Sequence, residues 1–231
     1  MRNRSIWYSL AACVLALAFC ACTSPKPLTA ELAPHSLRAV NLEETVSQRD
    51  ELMIAYSMTS YDAQNKPVGV VNGGWGVETV RKGQQVDLHT AKPISLALPK
   101  NGKIVASLVL IEVDDYNRAN QLLDQLRRVH NIVSGPASFL LTATEVLTPL
   151  KYVAAGLAAS GIGIKLVDQL DDDDLLGQSS VELRDAELRQ KKQRLVHVPT
   201  EFTGQNLRDS FTYQLEYNVS LQTAQIQPIR Q

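Results

Sequence analysis

All three cysteines of this 231-residue chain, Cys13, Cys20 and Cys22, fall within its first 22 residues. Everything after residue 22 must therefore fold without a disulfide or a thiolate metal site, on its apolar core alone. About 200 residues are ample for one such core and suggest a single domain. The cysteines sit in or just after an apolar run from Ile6 to Cys20, behind the basic Arg2 and Arg4. A basic start, a short apolar stretch and small residues at a cut form the layout of a secretory signal. The run is short for a membrane span, which needs ~20 apolar residues.

The end of that run, Phe19-Cys20-Ala21-Cys22, resembles the lipobox of bacterial lipoproteins, with Ala21 as the small residue at the cut. Leu10-Ala11-Ala12-Cys13 matches the box in sequence but leaves too little apolar run before it, and Leu17-Ala18-Phe19-Cys20 puts a bulky ring at the cut. Cys22 is the expected lipidation site. The resemblance implies residues 1–21 as signal peptide, diacylglycerol on the Cys22 sulfur and a palmitate-like acyl chain on its amino group. Two or more chains give stable anchoring. Thr23 is not the aspartate that resembles an inner-membrane retention signal, so the outer membrane is the expected location, with the domain in the periplasm or at the surface.

Residues 22–36 carry Pro25, Pro27 and Pro34 among small residues and read as a flexible tether. From Leu37 the pattern is that of strands: Leu37–Leu42, Leu52–Thr59, Val77–Val80, Gln85–His89 and Ile94–Leu98. Asn65-Lys-Pro67, Asn72-Gly-Gly74 and Lys100-Asn-Gly-Lys103 read as turns. Ile104–Val113 is the most apolar strand and belongs in the interior of a sheet.

Helical spacing then takes over. Asn117–His130, with Leu122, Leu123, Leu126 and Val129, reads as one helix, Ser138–Leu147 as a second and Leu150–Leu170 as a third. Strands return at Ser180–Leu183, Leu195–Val198 and Phe211–Leu221, and 222–231 form a tail. The expected fold is mainly β: an antiparallel β-sandwich over 37–221, with an α-helical insertion at about 116–170 between two strands.

Acidic residues cluster at Asp50-Glu51, Asp114-Asp115 and Asp171 to Asp174, each beside a strand. Carboxylates brought together repel, and Ca²⁺, with its six to eight oxygen ligands, is the cation such a group would take. On these residues the chain resembles a C2 domain, an eight-stranded sandwich whose end loops bind Ca²⁺ through aspartates. Leu110-Ile-Glu-Val-Asp-Asp115 looks like the strand that enters such a loop. Asp173-Asp174-Leu175-Leu176-Gly177 looks like the step that leaves it, and Asp50 like the first-loop aspartate. The resemblance implies Asp50, Asp114, Asp115, Asp173 and Asp174 as metal ligands.

The net charge of −1 becomes −3 once Arg2 and Arg4 leave with the signal, and nothing here is basic enough to suggest a nucleic-acid partner. His35, His89, His130 and His197 are scattered, no Gly-x-Ser-x-Gly elbow occurs, and Gly161-Ile-Gly163-Ile-Lys165 is not a phosphate loop. The expected function is a membrane-anchored, non-enzymatic binding or scaffold module. Its partners are the membrane, through the lipid, and an envelope protein, through the helical insertion. The alternative is a cell-surface, metal-dependent hydrolase using the same acidic pocket.

Overall fold

The structure, a computed structural model, describes residues 26–43, 47–113, 116–128, 148–159, 175–206 and 209–223. It is mainly β. Nine strands lie among the described residues: β1 (Leu28–Asn41), β2 (Asp50–Tyr61), β3 (Pro67–Val80), β4 (Gln85–Asp87), β5 (Ile94–Leu98), β6 (Lys103–Glu112), β7 (Leu175–Arg184), β8 (Leu195–Asn206) and β9 (Asp209–Thr223). Three helices accompany them: α1 (Tyr116–Arg128), α2 (Pro149–Ala159) and α3 (Asp185–Lys191). The strands form two antiparallel sheets, one ordered β4-β1-β9-β8 with β5 also on β1, the other β3-β2-β6-β7.

The period-two pattern of β9 explains its place. Tyr213, Leu215, Tyr217, Val219 and Leu221 are buried, and the residues between them face outward. In the second sheet β2 and β6 are buried on both faces, because each has a neighbour on either side and helices over its outer face. One apolar cluster takes side chains from both sheets, among them Leu32 and Tyr217 from the first and Ile54 and Leu108 from the second. A second cluster lies on the outer face of β2 and β6, where Met53, Val109 and Ile111 meet Ala119 and Leu123 of α1 and Val153 of α2. The two described helices between β6 and β7 thus pack on the second sheet. Helix α2 starts where its sequence allows. Pro149 occupies the first turn, the Lys151 N–H donates to Thr148 Oγ1 at 3.3 Å, and the Leu150 N–H donates to Gln178 Oε1 of β7 at 3.2 Å.

Several expectations are corrected. Residues 28–36, expected in the tether, belong to β1, where Leu28, Ala30 and Leu32 are buried. Pro34 is accommodated where the β1–β9 register slips, a place that needs no ladder hydrogen bond. Asn72-Gly73-Gly74 is not a turn but the middle of β3. Any Cβ on Gly73 would collide with the Tyr56 ring, so the glycine makes room for a core aromatic instead of a reversal. β9 continues to Thr223, two residues into the expected tail. Helix α3 had no counterpart in the apolar pattern. The Asn101-Gly102 turn forms as expected, with Asn101 at φ 56°, and β6 lies inside its sheet. The helix expected at Ser138–Leu147 and the later half of Leu150–Leu170 lie outside the described residues.

Candidate functional site

The acidic spots are grouped by the strands that flank them. Asp50 is the first residue of β2. The Val113 N–H donates to the Glu51 carbonyl at 2.8 Å, which fixes the exit of β6 beside the entry of β2. Leu175, the first residue of β7, is opposite Ile111. The chain positions on either side of 114–174 therefore meet at one end of the second sheet. Asp114, Asp115, Asp173 and Asp174 themselves lie outside the described residues, as does Cys22.

Asp50 is fully buried. Its Oδ2 accepts hydrogen bonds from the Tyr213 hydroxyl and, at 2.8 Å, from the Glu43 N–H, which also reaches the Tyr213 oxygen at 3.1 Å. Tyr213 comes from β9 of the other sheet, so this carboxylate ties the two sheets together at their acidic end. Burial, then the hydrogen bond and charge of Asp50, push the Tyr213 hydroxyl far above the usual phenol range and keep it a donor. Sequence reasoning placed Asp50 in a loop as a ligand. The structure turns it inward as a brace. Glu112, also buried, ends β6 at the same end.

A second polar group lies under α2. Ser57 of β2 is opposite both Asn72 of β3 and Ser107 of β6, and Ser107 is opposite Ser180 of β7. Ser57, Thr59 and Ser107 are fully buried, and their hydroxyls have no hydrogen-bond partner among the described residues. The described histidines are far from them in the fold: His35 in β1, His89 just after β4 and His197 in β8, all with the first sheet. His197 Nδ1 pairs with Asn218 Oδ1 at 2.9 Å, and His89 lies 3.5 Å from Asp87. Among the described residues, the strands of the sheet that carries the hydroxyl row hold no histidine. On the first sheet an open hollow of about 350 Å³ is lined by Pro199, Thr200, Glu201, Gln214 and Glu216.

Sequence reasoning missed a third cluster, at the opposite end. Asp185, the first residue of α3, is 2% exposed; its Oδ1 is 2.7 Å from Arg189 Nε and its Oδ2 accepts the Asn101 N–H at 3.0 Å. The signal was present in the sequence, because Asp185/Arg189 and Glu187/Lys191 are spaced as helical i,i+4 ion pairs. No protein-family model matches this chain, and no curated protein is significantly similar to it.

Proposed function

We propose that this chain is an exported lipoprotein, anchored to the outer membrane through acyl chains on Cys22, whose domain is a C2-like β-sandwich acting as a non-enzymatic binding or scaffold module. The observation that carries this reading is the strand count. β4 pairs with Ser36–Arg38 of β1 and β5 with Leu28–Leu32, so the two occupy successive parts of one strand position. Counted so, each sheet holds four strands and the domain eight, the number that the resemblance implies. The apolar cluster shared by both sheets supports a sandwich packing.

In this reading the loops leaving β6 and entering β7 hold Ca²⁺ through Asp114, Asp115, Asp173 and Asp174. Asp50 braces the strand ends beneath them. The insertion supplies the surface for an envelope protein, with α1 and α2 holding it to the second sheet.

Two measurements test the proposal. Cells expressing the full chain are fed labelled palmitate; the label is expected on the protein and absent from Cys22→Ala. The chain from residue 23 is then melted with Ca²⁺ and with chelator. Ca²⁺ bound to the folded state raises the melting temperature, and Asp173→Asn with Asp174→Asn removes the rise. Absence of the label rules out the lipoprotein, and absence of the shift at millimolar Ca²⁺ rules out the metal site.

A further inference from the structure

We infer that the end of the domain nearest the anchor is a docking surface for an anionic phospholipid bilayer. The orientation rests on the proposed lipidation of Cys22; the chemistry rests on the charges that the fold collects there.

The entry of the chain defines that end. Lys26 lies four positions after Cys22, a reach of at most about 14 Å. The Lys26 carbonyl accepts a hydrogen bond from Arg189 Nη2 at 3.0 Å, so α3 lies beside the entry. Leu28 is opposite Leu98, the end of β5. The Asp185 N–H donates to the Gly102 carbonyl at 3.0 Å, joining α3 to the β5–β6 turn. Tyr61 is opposite Lys103, which adds the β2–β3 turn to the same end.

Six exposed cations gather on these turns: Lys26, Lys66, Lys100, Lys191, Lys192 and Arg194. Of the six only Lys191 has a carboxylate within 4 Å among the described residues, Glu187 at 3.8 Å. The other carboxylates here are already engaged. Glu182 is shared by Lys103 and Arg184, Asp185 is held by Arg189, and Asp62 Oδ1 accepts the N–H groups of Gln64 and Lys66 within its own turn. Leu195, directly after Arg194, is 55% exposed, an apolar side chain beside the cations. The opposite end carries the carboxylates of Glu43, Asp50, Glu51 and Glu112 with the cations of Arg49, Arg81 and Lys82 among them, and the sequence next to it adds Asp114-Asp115 and Asp171 to Asp174. A net charge of only −1 conceals this separation into a basic and an acidic end.

A bilayer rich in phosphatidylglycerol attracts the basic end and repels the acidic one. Each cation near such a surface raises affinity about fivefold, and the attraction fades over a Debye length of roughly 8 Å. A tether of at most about 14 Å keeps the entry of the domain, and α3 beside it, within about two Debye lengths of the surface even when fully extended. Lipid and basic surface then act as two anchoring signals, and the acidic end is presented away from the membrane.

The chain from residue 23, which keeps every strand and helix described, is mixed with vesicles of phosphatidylethanolamine and phosphatidylglycerol, or of phosphatidylcholine alone, and sedimented. It is expected to bind the anionic vesicles, to release them as salt is added, and to be no more sensitive to inorganic phosphate than to chloride at equal ionic strength. Combined Lys191→Gln, Lys192→Gln and Arg194→Gln should weaken binding about a hundredfold at unchanged melting temperature. Arg81→Gln with Lys82→Gln, exposed in the β3–β4 turn at the acidic end, should leave binding nearly as it was. Equal binding to both vesicle types, displacement by phosphate itself, or equal losses in the two variants overturns the inference. A full chain that takes up palmitate while its unlipidated form ignores anionic vesicles overturns the docking surface and leaves the anchor standing. Vesicle binding without palmitate uptake does the reverse.

Discussion

Asp50 and Asp185 are both buried carboxylates, 0% and 2% exposed, at opposite ends of the same two sheets. Asp50 takes neutral donors, a phenol from β9 and the Glu43 N–H, and so links two sheets across 163 residues of sequence. Asp185 takes a guanidinium four residues away and the N–H of Asn101, and so fastens a short helix to a turn. The difference follows the charge around them. At the acidic end the two donors described for the brace, a phenol and a backbone N–H, add no charge. At the basic end the brace neutralises one cation of an otherwise positive surface, and its negative charge also suits the first turn of α3. The first brace holds the core together; the second holds the shape of a surface.

This contrast predicts unequal costs. Asp50→Ala takes the acceptor from the buried Tyr213 hydroxyl, at ~1–3 kcal/mol, and removes a fully buried side chain, and should lower unfolding stability by about 3 kcal/mol in a denaturant titration. Asp185→Ala should cost less, about 2 kcal/mol, because Arg189 is 29% exposed and can turn to water. A double cycle with Arg189→Ala should return a coupling near 1 kcal/mol. If Asp185→Ala proves the costlier of the two, the division between a core brace and a surface brace is wrong.

The parts of the fold that sequence revealed are those whose signal is local. The alternation of β9, the unbroken apolar run of β6 and the Asn101-Gly102 turn each express their structure within a few residues. The errors arose where a distant partner decides. Pro27 and Pro34 made residues 22–36 look like a tether, yet Leu28, Ala30 and Leu32 are drawn into the core by pairing with β5 and β9. Gly73 looked like a turn residue, and only the Tyr56 ring across the strand explains it. Asp50 looked like a loop ligand because nothing near it in sequence announces Tyr213. Helix α3 escaped notice because Leu188 is its one buried apolar residue, which leaves no apolar stripe to read. The basic end has the same origin. Its cations are scattered from Lys26 to Arg194 and become a surface only when three turns and α3 are folded together.

The smallest effect separates stability from docking at the basic end. Burial acts to raise the Glu182 pKa, but the hydrogen bonds and charges of Lys103 and Arg184 outweigh it and hold the carboxyl below the usual glutamate value. A carboxyl lowered on folding stabilises the protein above its unfolded pKa of ~4.3 and loses that contribution as pH falls through the folded value. With its side chain 34% exposed, the contribution is screened to under about 1 kcal/mol. Glu182→Gln should therefore be slightly less stable than the parent at neutral pH and equal to it in acid, with added salt narrowing the gap. The same substitution releases Lys103 and Arg184 from their shared carboxylate, so affinity for anionic vesicles should rise about fivefold while stability drops. A variant that loses both together would show that the cations of this end serve the fold and not a membrane.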